Sequence, residues 1–250
     1  MPALIADLLH RPVAVLAATT GPVALAAKTA NTPVPIVFTG AFDPVKLGLV
    51  ASLARPGGNM TGVTQLTIEL GPKKLELIHE LLPAATTMAL LVNPNNPVVA
   101  ETEQRNLEAA ARTLGLRLVV LNAGSEQDFD KVFASLVELR AGGLVIGSDP
   151  FFLGQSARLA ELAQRHAMPA LSIDREFTAA GGLMSYGGDV ADSYRIAGVY
   201  TGRILNGDKP ADLPVQQSTK VELVINLKTA KALGFAFPPA LLGRANEIIE

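Results

Sequence analysis

The 250-residue chain, 49% hydrophobic and 18% charged, is long enough for one or two domains with a sizeable core and too apolar to be disordered. Twenty-one Lys and Arg against 23 Asp and Glu leave a net charge of -2, which argues against nucleic acid as the main partner, because phosphate binding needs a basic face. With no cysteine, disulfides, thiolate catalysis and Cys-ligated metals are excluded, while either redox compartment remains open.

Near the start, the apolar stretch 12–27 is broken by Thr19-Thr20-Gly21-Pro22, so it cannot form a continuous span of ~20 residues. It reads as a buried strand, a tight turn and a helix. A signal peptide is the weaker reading, because Asp7 stands where a positive region belongs. Strands are expected at 13–18, 36–39, 60–65, 87–92, 116–121, 143–147, 170–173, 183–186 and 221–225. These are continuous apolar runs, as suits parallel strands covered on both faces.

Helical patterns separate them. Asp43-Pro44 opens an expected helix over 45–53, and leucines at helical spacing mark another over 68–82, stopped by Pro83. Asn96-Pro97 starts a helix whose stripe runs through Leu107, Ala110, Ala111 and Leu114 to Gly115. Ser125 and Asp189 can each cap a further helix. Alternating strands and helices imply α/β architecture with right-handed crossovers, and two lobes would be joined by short connections near 83–86, 186–189 and 207–214.

Enzymatic signatures fail. There is no dinucleotide-binding glycine pattern and no GxxxxGK[ST] loop. Residues 183–187 read Leu-Met-Ser-Tyr-Gly, which lacks the first glycine of GxSxG. His10, His79 and His166 are isolated, without a second ligand three or four residues on, so no metal or cofactor is expected. The pairs Glu101/Glu103 and Glu247/Glu250 read as solvated helix faces.

Ligands of open α/β sheets bind outside the carboxyl ends of strands. That rule selects Thr19 and Thr20, where hydroxyls and free N–H groups favour a carboxylate; Thr39, Phe42 and Asp43 after the next strand; and Gln65. In the second half it selects Asn93, Asp149, Phe151, Asp174, Tyr186 and Asp189. Each has a plainer alternative: Asp43 and Asp149 as helix caps, Asn93 as a bridge within its turn, one of Phe151 and Phe152 in the core, and Tyr186 as a packed hinge residue. Aromatic, hydroxyl and carboxylate groups on one set of loops suit an amino acid or small organic acid.

The run Pro35-Ile36-Val37-Phe38, Asp43-Pro44-Val45 and the stretch Gly48-Leu49-Val50-Ala51-Ser52-Leu53-Ala54-Arg55-Pro56-Gly57-Gly58-Asn59-Met60-Thr61-Gly62-Val63 carry a resemblance. It continues through Lys74-Leu75-Glu76-Leu77, through 181–187 and 207–214, and through 223–234. The chain resembles the substrate-binding proteins of ABC transporters in the tryptophan-binding-like group. The resemblance implies a type I periplasmic-binding-protein fold: two Rossmann-like lobes with parallel sheets, a three-crossover hinge and ligand in the interlobe cleft. Lobe 1 is expected from 1–84 plus 188–210, and lobe 2 from 85–187 plus 211–250.

It further implies a periplasmic or lipid-anchored protein that catalyses nothing and delivers a small ligand to an ABC permease. That ligand is an amino acid, aromatic ones included, or a related carboxylate. The alternatives are an effector-sensing module on the same fold and, behind it, an α/β enzyme acting on a small acid. Against the family pattern, residues 4–10 resemble the second helix, so the export signal and first βαβ segment are expected to be missing. The strand from Val13 to Ala18 then becomes a sheet edge, through which two chains could pair.

Overall fold

The computed structural model describes residues 2–65, 70–218 and 220–250. In chain order the first elements are α1 (Pro2–Leu9), β1 (Leu16–Ala18), α2 (Gly21–Thr29), β2 (Ile36–Gly40), β3 (Met60–Gln65), α3 (Gly71–Leu81), β4 (Thr87–Val92), α4 (Pro97–Leu114) and β5 (Arg117–Asn122). Then come α5 (Phe129–Glu138), β6 (Gly143–Ile146), α6 (Pro150–Leu153), α7 (Ser156–Arg165), β7 (Ala170–Ser172), α8 (Arg175–Ala179) and β8 (Met184–Gly188). The last are α9 (Val190–Leu205), β9 (Gln216–Ser218), β10 (Val221–Asn226), α10 (Leu227–Ala232), α11 (Pro239–Leu242) and β11 (Glu247–Ile249). The start expected at 68 for the third helix lies outside the described residues.

Two compact units result: Met1–Leu66 with Gly188–Lys220, and Thr67–Gly187 with Val221–Glu250. Unit 1 holds a sheet ordered β1-β2-β3-β9. Its pairs are parallel, with Leu16 beside Ile36, Ile36 beside Met60 and Val63 beside Gln216. Side chains alternate across the sheet, as the pleat requires. Ile36 and Phe38 pack with Ala24 and Ala27 of α2 and Ile5 of α1, while Val37 packs with Tyr200 and Ile204 of α9. The Tyr200 hydroxyl donates to the carbonyl of Pro214 at 2.6 Å.

Unit 2 holds a sheet ordered β11-β10-β8-β7-β6-β4-β5. Both faces are covered, which explains the unbroken apolar runs. Met88, Leu90 and Val92 face Leu75 and Ile78 of α3 and Leu107 of α4. Ala89 and Leu91 face Phe129 and Phe133 of α5 and Leu159 of α7. Each such fully buried side chain contributes roughly 1.5–3 kcal/mol of transfer free energy.

Several expectations are corrected. The divisions expected at 84 and 210 fall at 66 and 220. Helix α3 belongs with unit 2 because Leu75, Leu77 and Ile78 share a core with Met88 and Leu107. Strand β9, polar and without an apolar run, joins unit 1 by backbone pairing with β3. No helix forms over 45–53: Leu49 and Val50 both donate to the carbonyl of Pro44, and Gly48 takes a left-handed φ of 65° that ends the turn. The strand expected from 13 begins only at Leu16, and β11 went unread. Among the described residues, no helix is long and apolar enough to cross a membrane.

Candidate functional site

In unit 2 the chain runs from β4 out to β5 and returns on the other side of β4 as β6. That reversal between β4 and β6 is a topological switch point, where the crevice outside the strand ends lies. Two loops leave the carboxyl ends there: Asn93 to Asn96, and Gly147 to Phe151.

Asp149 joins them. It is only 4% exposed. Its Oδ1 accepts from the N–H of Phe151 at 2.9 Å, capping α6, and from Asn93 Nδ2 at 2.9 Å. Its Oδ2 accepts from Asn96 Nδ2 at 2.8 Å. Asn93 Oδ1 in turn accepts from the N–H of Asn95 at 3.0 Å. Asn96 therefore does not cap α4 with its side chain; its amide is committed to Asp149. Of the two neighbouring rings, Phe152 is buried, whereas Phe151 is half-buried and stacks on Phe129 with centroids 5.5 Å apart.

Beneath these loops lies a charge pair that sequence reasoning missed. Lys74 of α3 is 0% exposed and Glu103 of α4 is 1% exposed, with Nζ and Oε1 3.6 Å apart. Both oxygens of Glu103 accept from the N–H of Ser148, at 3.0 and 2.9 Å. Lys74 Nζ donates to Ser148 Oγ at 3.1 Å and to the carbonyl of Ile146 at 3.4 Å. Burial pushes the Lys74 ammonium below its usual range, and Glu103 partly opposes the shift. Gly147 makes the approach possible, because a Cβ there would sit 2.7 Å from Glu103 Oε2 and 2.6 Å from the Leu91 carbonyl. The reading of Glu103 as a solvated residue is thus corrected. The signal was available, since Glu103 stands four residues before Leu107 on the inward stripe of α4.

Elsewhere in unit 2, Asp174 caps α8 by accepting from the N–H of Glu176 at 3.2 Å, and it also accepts from Ser156 Oγ. Tyr186 lies within β8, half-buried against the cluster containing Leu183 and Met184. Asn226, also missed, caps α10 through Thr229 and donates to the carbonyl of Thr178.

In unit 1 the carboxyl ends of β1 and β2 lead to Thr19, exposed, and Thr20, whose Oγ1 accepts from the N–H of Val23 at 3.4 Å as the cap of α2. Thr39 is buried within β2. The half-buried Phe42 ring lies over Gly40 and Gly21, and its backbone carbonyl is held by Thr64 Oγ1. Asp43 Oδ1 accepts from the N–H groups of Val45 and Lys46, both at 3.0 Å. The Lys46 N–H chiefly holds the Asp43 carboxyl below the usual carboxylate range. Gln65 ends β3 beside Ser218, whose buried Oγ has no hydrogen-bond partner among the described residues. Asp189 caps α9 by accepting from the N–H of Asp192 at 2.9 Å and pairs with Lys220 Nζ at 3.1 Å.

The four candidate aspartates all accept backbone N–H groups at the start of a helix or turn. Asp149 and Asp174 have both oxygens engaged within the unit and Asp189 adds a lysine, so Asp43 is the least committed. An open depression of about 450 Å³ in unit 1 lies at the amino end of β3, near Lys28, Asn31 and Asn59, away from these loops. No group of three or more His, Cys, Asp or Glu among the described residues could hold a metal ion.

Comparison with known proteins follows the same lines. A tyrosine-binding protein of Clostridioides difficile (strain R20291) is 28% identical over 213 residues, covering 85% of this chain and 60% of that protein. The chain thus spans less than two thirds of that curated relative. The crystal structure of a conserved domain protein from Vibrio cholerae superposes with a TM-score of 0.85 at 28% identity, covering 99% of this chain and 84% of that one. A Streptococcus pneumoniae ABC domain in complex with L-Trp gives 0.85 at 24% identity, over 99% of this chain and 85% of that one. The fold is that of the type I periplasmic binding proteins, as the resemblance implies. Residues 3–249 match the family model described as ABC transporter substrate binding protein, and the chain belongs to that family.

Proposed function

We propose that this chain captures an aromatic amino acid outside the cytoplasmic membrane and delivers it to the permease of an ABC importer. The observation that carries this reading is the similarity to the tyrosine-binding protein along 85% of the chain. The chemistry of the strand-end loops supports it. Thr19 and Thr20 at the start of α2 offer hydroxyl donors to a carboxylate. Asp43, whose Oδ2 has among the described residues just the exposed Lys46 at 3.5 Å, is the carboxylate left for an ammonium group. The Phe42 ring, half-buried rather than in the core, suits contact with an aromatic side chain.

Titration calorimetry with L-tyrosine, L-tryptophan and L-phenylalanine, with glucose as control, tests the proposal. One or more of the three amino acids should bind, and Phe42→Ala and Asp43→Ala should each weaken binding about tenfold or more, equivalent to ~1.4 kcal/mol. Absence of binding by all three would overturn the assignment.

A further inference from the structure

Among the described residues, Lys74 and Glu103 form a fully desolvated charge pair that ligand capture leaves without a task. A buried pair is by itself weak support for stability, because desolvating two charges costs about as much as their attraction returns. Its geometry is more informative than its charge. Glu103 spends both carboxylate oxygens on a single backbone N–H, that of Ser148, and Lys74 holds the Ser148 hydroxyl and the Ile146 carbonyl from the other side. Gly147 is the residue that lets the carboxylate reach the backbone. One residue on, Asp149 ties the same turn to Asn93 and Asn96 of the neighbouring loop. The chain from α3 and α4 to both switch-point loops is therefore continuous.

We propose that Lys74 and Glu103 are positioning residues: they fix the Gly147–Asp149 turn at the end of β6, and through Asp149 the Asn93–Asn96 loop, in the arrangement that receives ligand in unit 2. The proposal rests on the amino-acid-binding reading for its effect on affinity, but not for its effect on the loops. Neither residue touches the ligand. Each acts through backbone and side-chain hydrogen bonds to Ser148.

Two measurements on the full chain test it. In the ligand-free protein, the Ser148 amide should exchange slowly with solvent, and Glu103→Gln should speed its exchange about a hundredfold while the Leu144 and Val145 amides of the same strand stay protected. The Asn93 and Asn96 side-chain amide resonances should move with it. In calorimetry with L-tyrosine or L-tryptophan, Glu103→Gln should raise Kd about tenfold or more. Leu162→Ala, a core change on the opposite face of the sheet, should lower thermal stability at least as much yet leave Kd within about twofold and Ser148 protection intact.

Should Glu103→Gln fail to fold, the charge-free double variant Lys74→Met/Glu103→Met replaces it, with the same outcomes expected. Unchanged Ser148 protection, or a Kd that holds while only thermal stability falls, overturns the proposal. Failure of the wild-type chain to bind either amino acid overturns the function proposed above, and the exchange measurement still decides whether the pair holds the loops.

Discussion

Asp149 and Asp189 do the same job in different surroundings, and the difference is measurable. Asp149 is buried and serves three donors, so Asp149→Ala leaves two asparagine amides and a helix N–H without an acceptor. A loss of about 2–4 kcal/mol follows, read as a lower urea midpoint. Asp189 has no such concentration of donors; its carboxyl is held below the usual carboxylate range chiefly by the Asp192 N–H, then by Lys220. A carboxylate whose folded pKa is depressed stabilises fully above its unfolded value of ~3.9 and loses that contribution as pH falls through the lower folded value. The stability gap between wild type and Asp189→Asn should therefore be constant from neutral pH down to ~5 and close below ~4. A gap independent of pH would show that the charge on Asp189 does not matter. Gly147→Ala belongs at this scale too, since its Cβ would meet the Leu91 carbonyl at 2.6 Å inside a packed turn. It should cost about 1–3 kcal/mol by calorimetry.

Among elements, β1 combines two properties: it ends the unit 1 sheet, and its three residues alternate buried, exposed, buried. An edge strand offers unpaired N–H and C=O groups to another chain. The same elements explain what sequence patterning could reach. Strands β4 and β6 fall where their apolar runs put them because a strand covered on both faces is apolar nearly throughout. Strands β9 and β11 escaped because three residues, paired by backbone alone, leave no periodic trace. The turn after Asp43 looked like a helix start because an Asx turn and an N-cap share one side-chain hydrogen bond, and only the φ of Gly48 separates them. The switch-point loops were legible as strand ends. The capping roles of Asp43, Asp149 and Asp189 were legible as well; the bonds from Asn93 and Asn96 to Asp149 were not, nor was the inward placement of Lys74 and Glu103 on otherwise apolar stripes.

At the scale of the molecule, each unit has its own interior, with two buried clusters of described residues in each. Nothing in such cores compels a single unfolding transition. Unit 1 has four strands, two of them three residues long, whereas unit 2 has seven strands covered on both faces. A smaller unit buries a smaller share of its surface, so unit 1 should melt first. Scanning calorimetry should therefore resolve two transitions, the lower one shifted by Tyr200→Phe, which removes the hydroxyl bond to Pro214 inside unit 1. This separation makes ligand binding readable by unit. A ligand at about a hundred times its Kd stabilises whatever it binds by ~2.7 kcal/mol, which for domains of this size raises the transition by several degrees. If Thr20, Phe42 and Asp43 carry the amino acid, L-tyrosine or L-tryptophan should raise the lower transition. A ligand received by the unit 2 loops that Lys74 and Glu103 hold should raise the upper transition, and that rise should be lost in Glu103→Gln. A ligand that moves the lower transition alone would confine recognition to unit 1 and leave the buried pair a structural feature of unit 2.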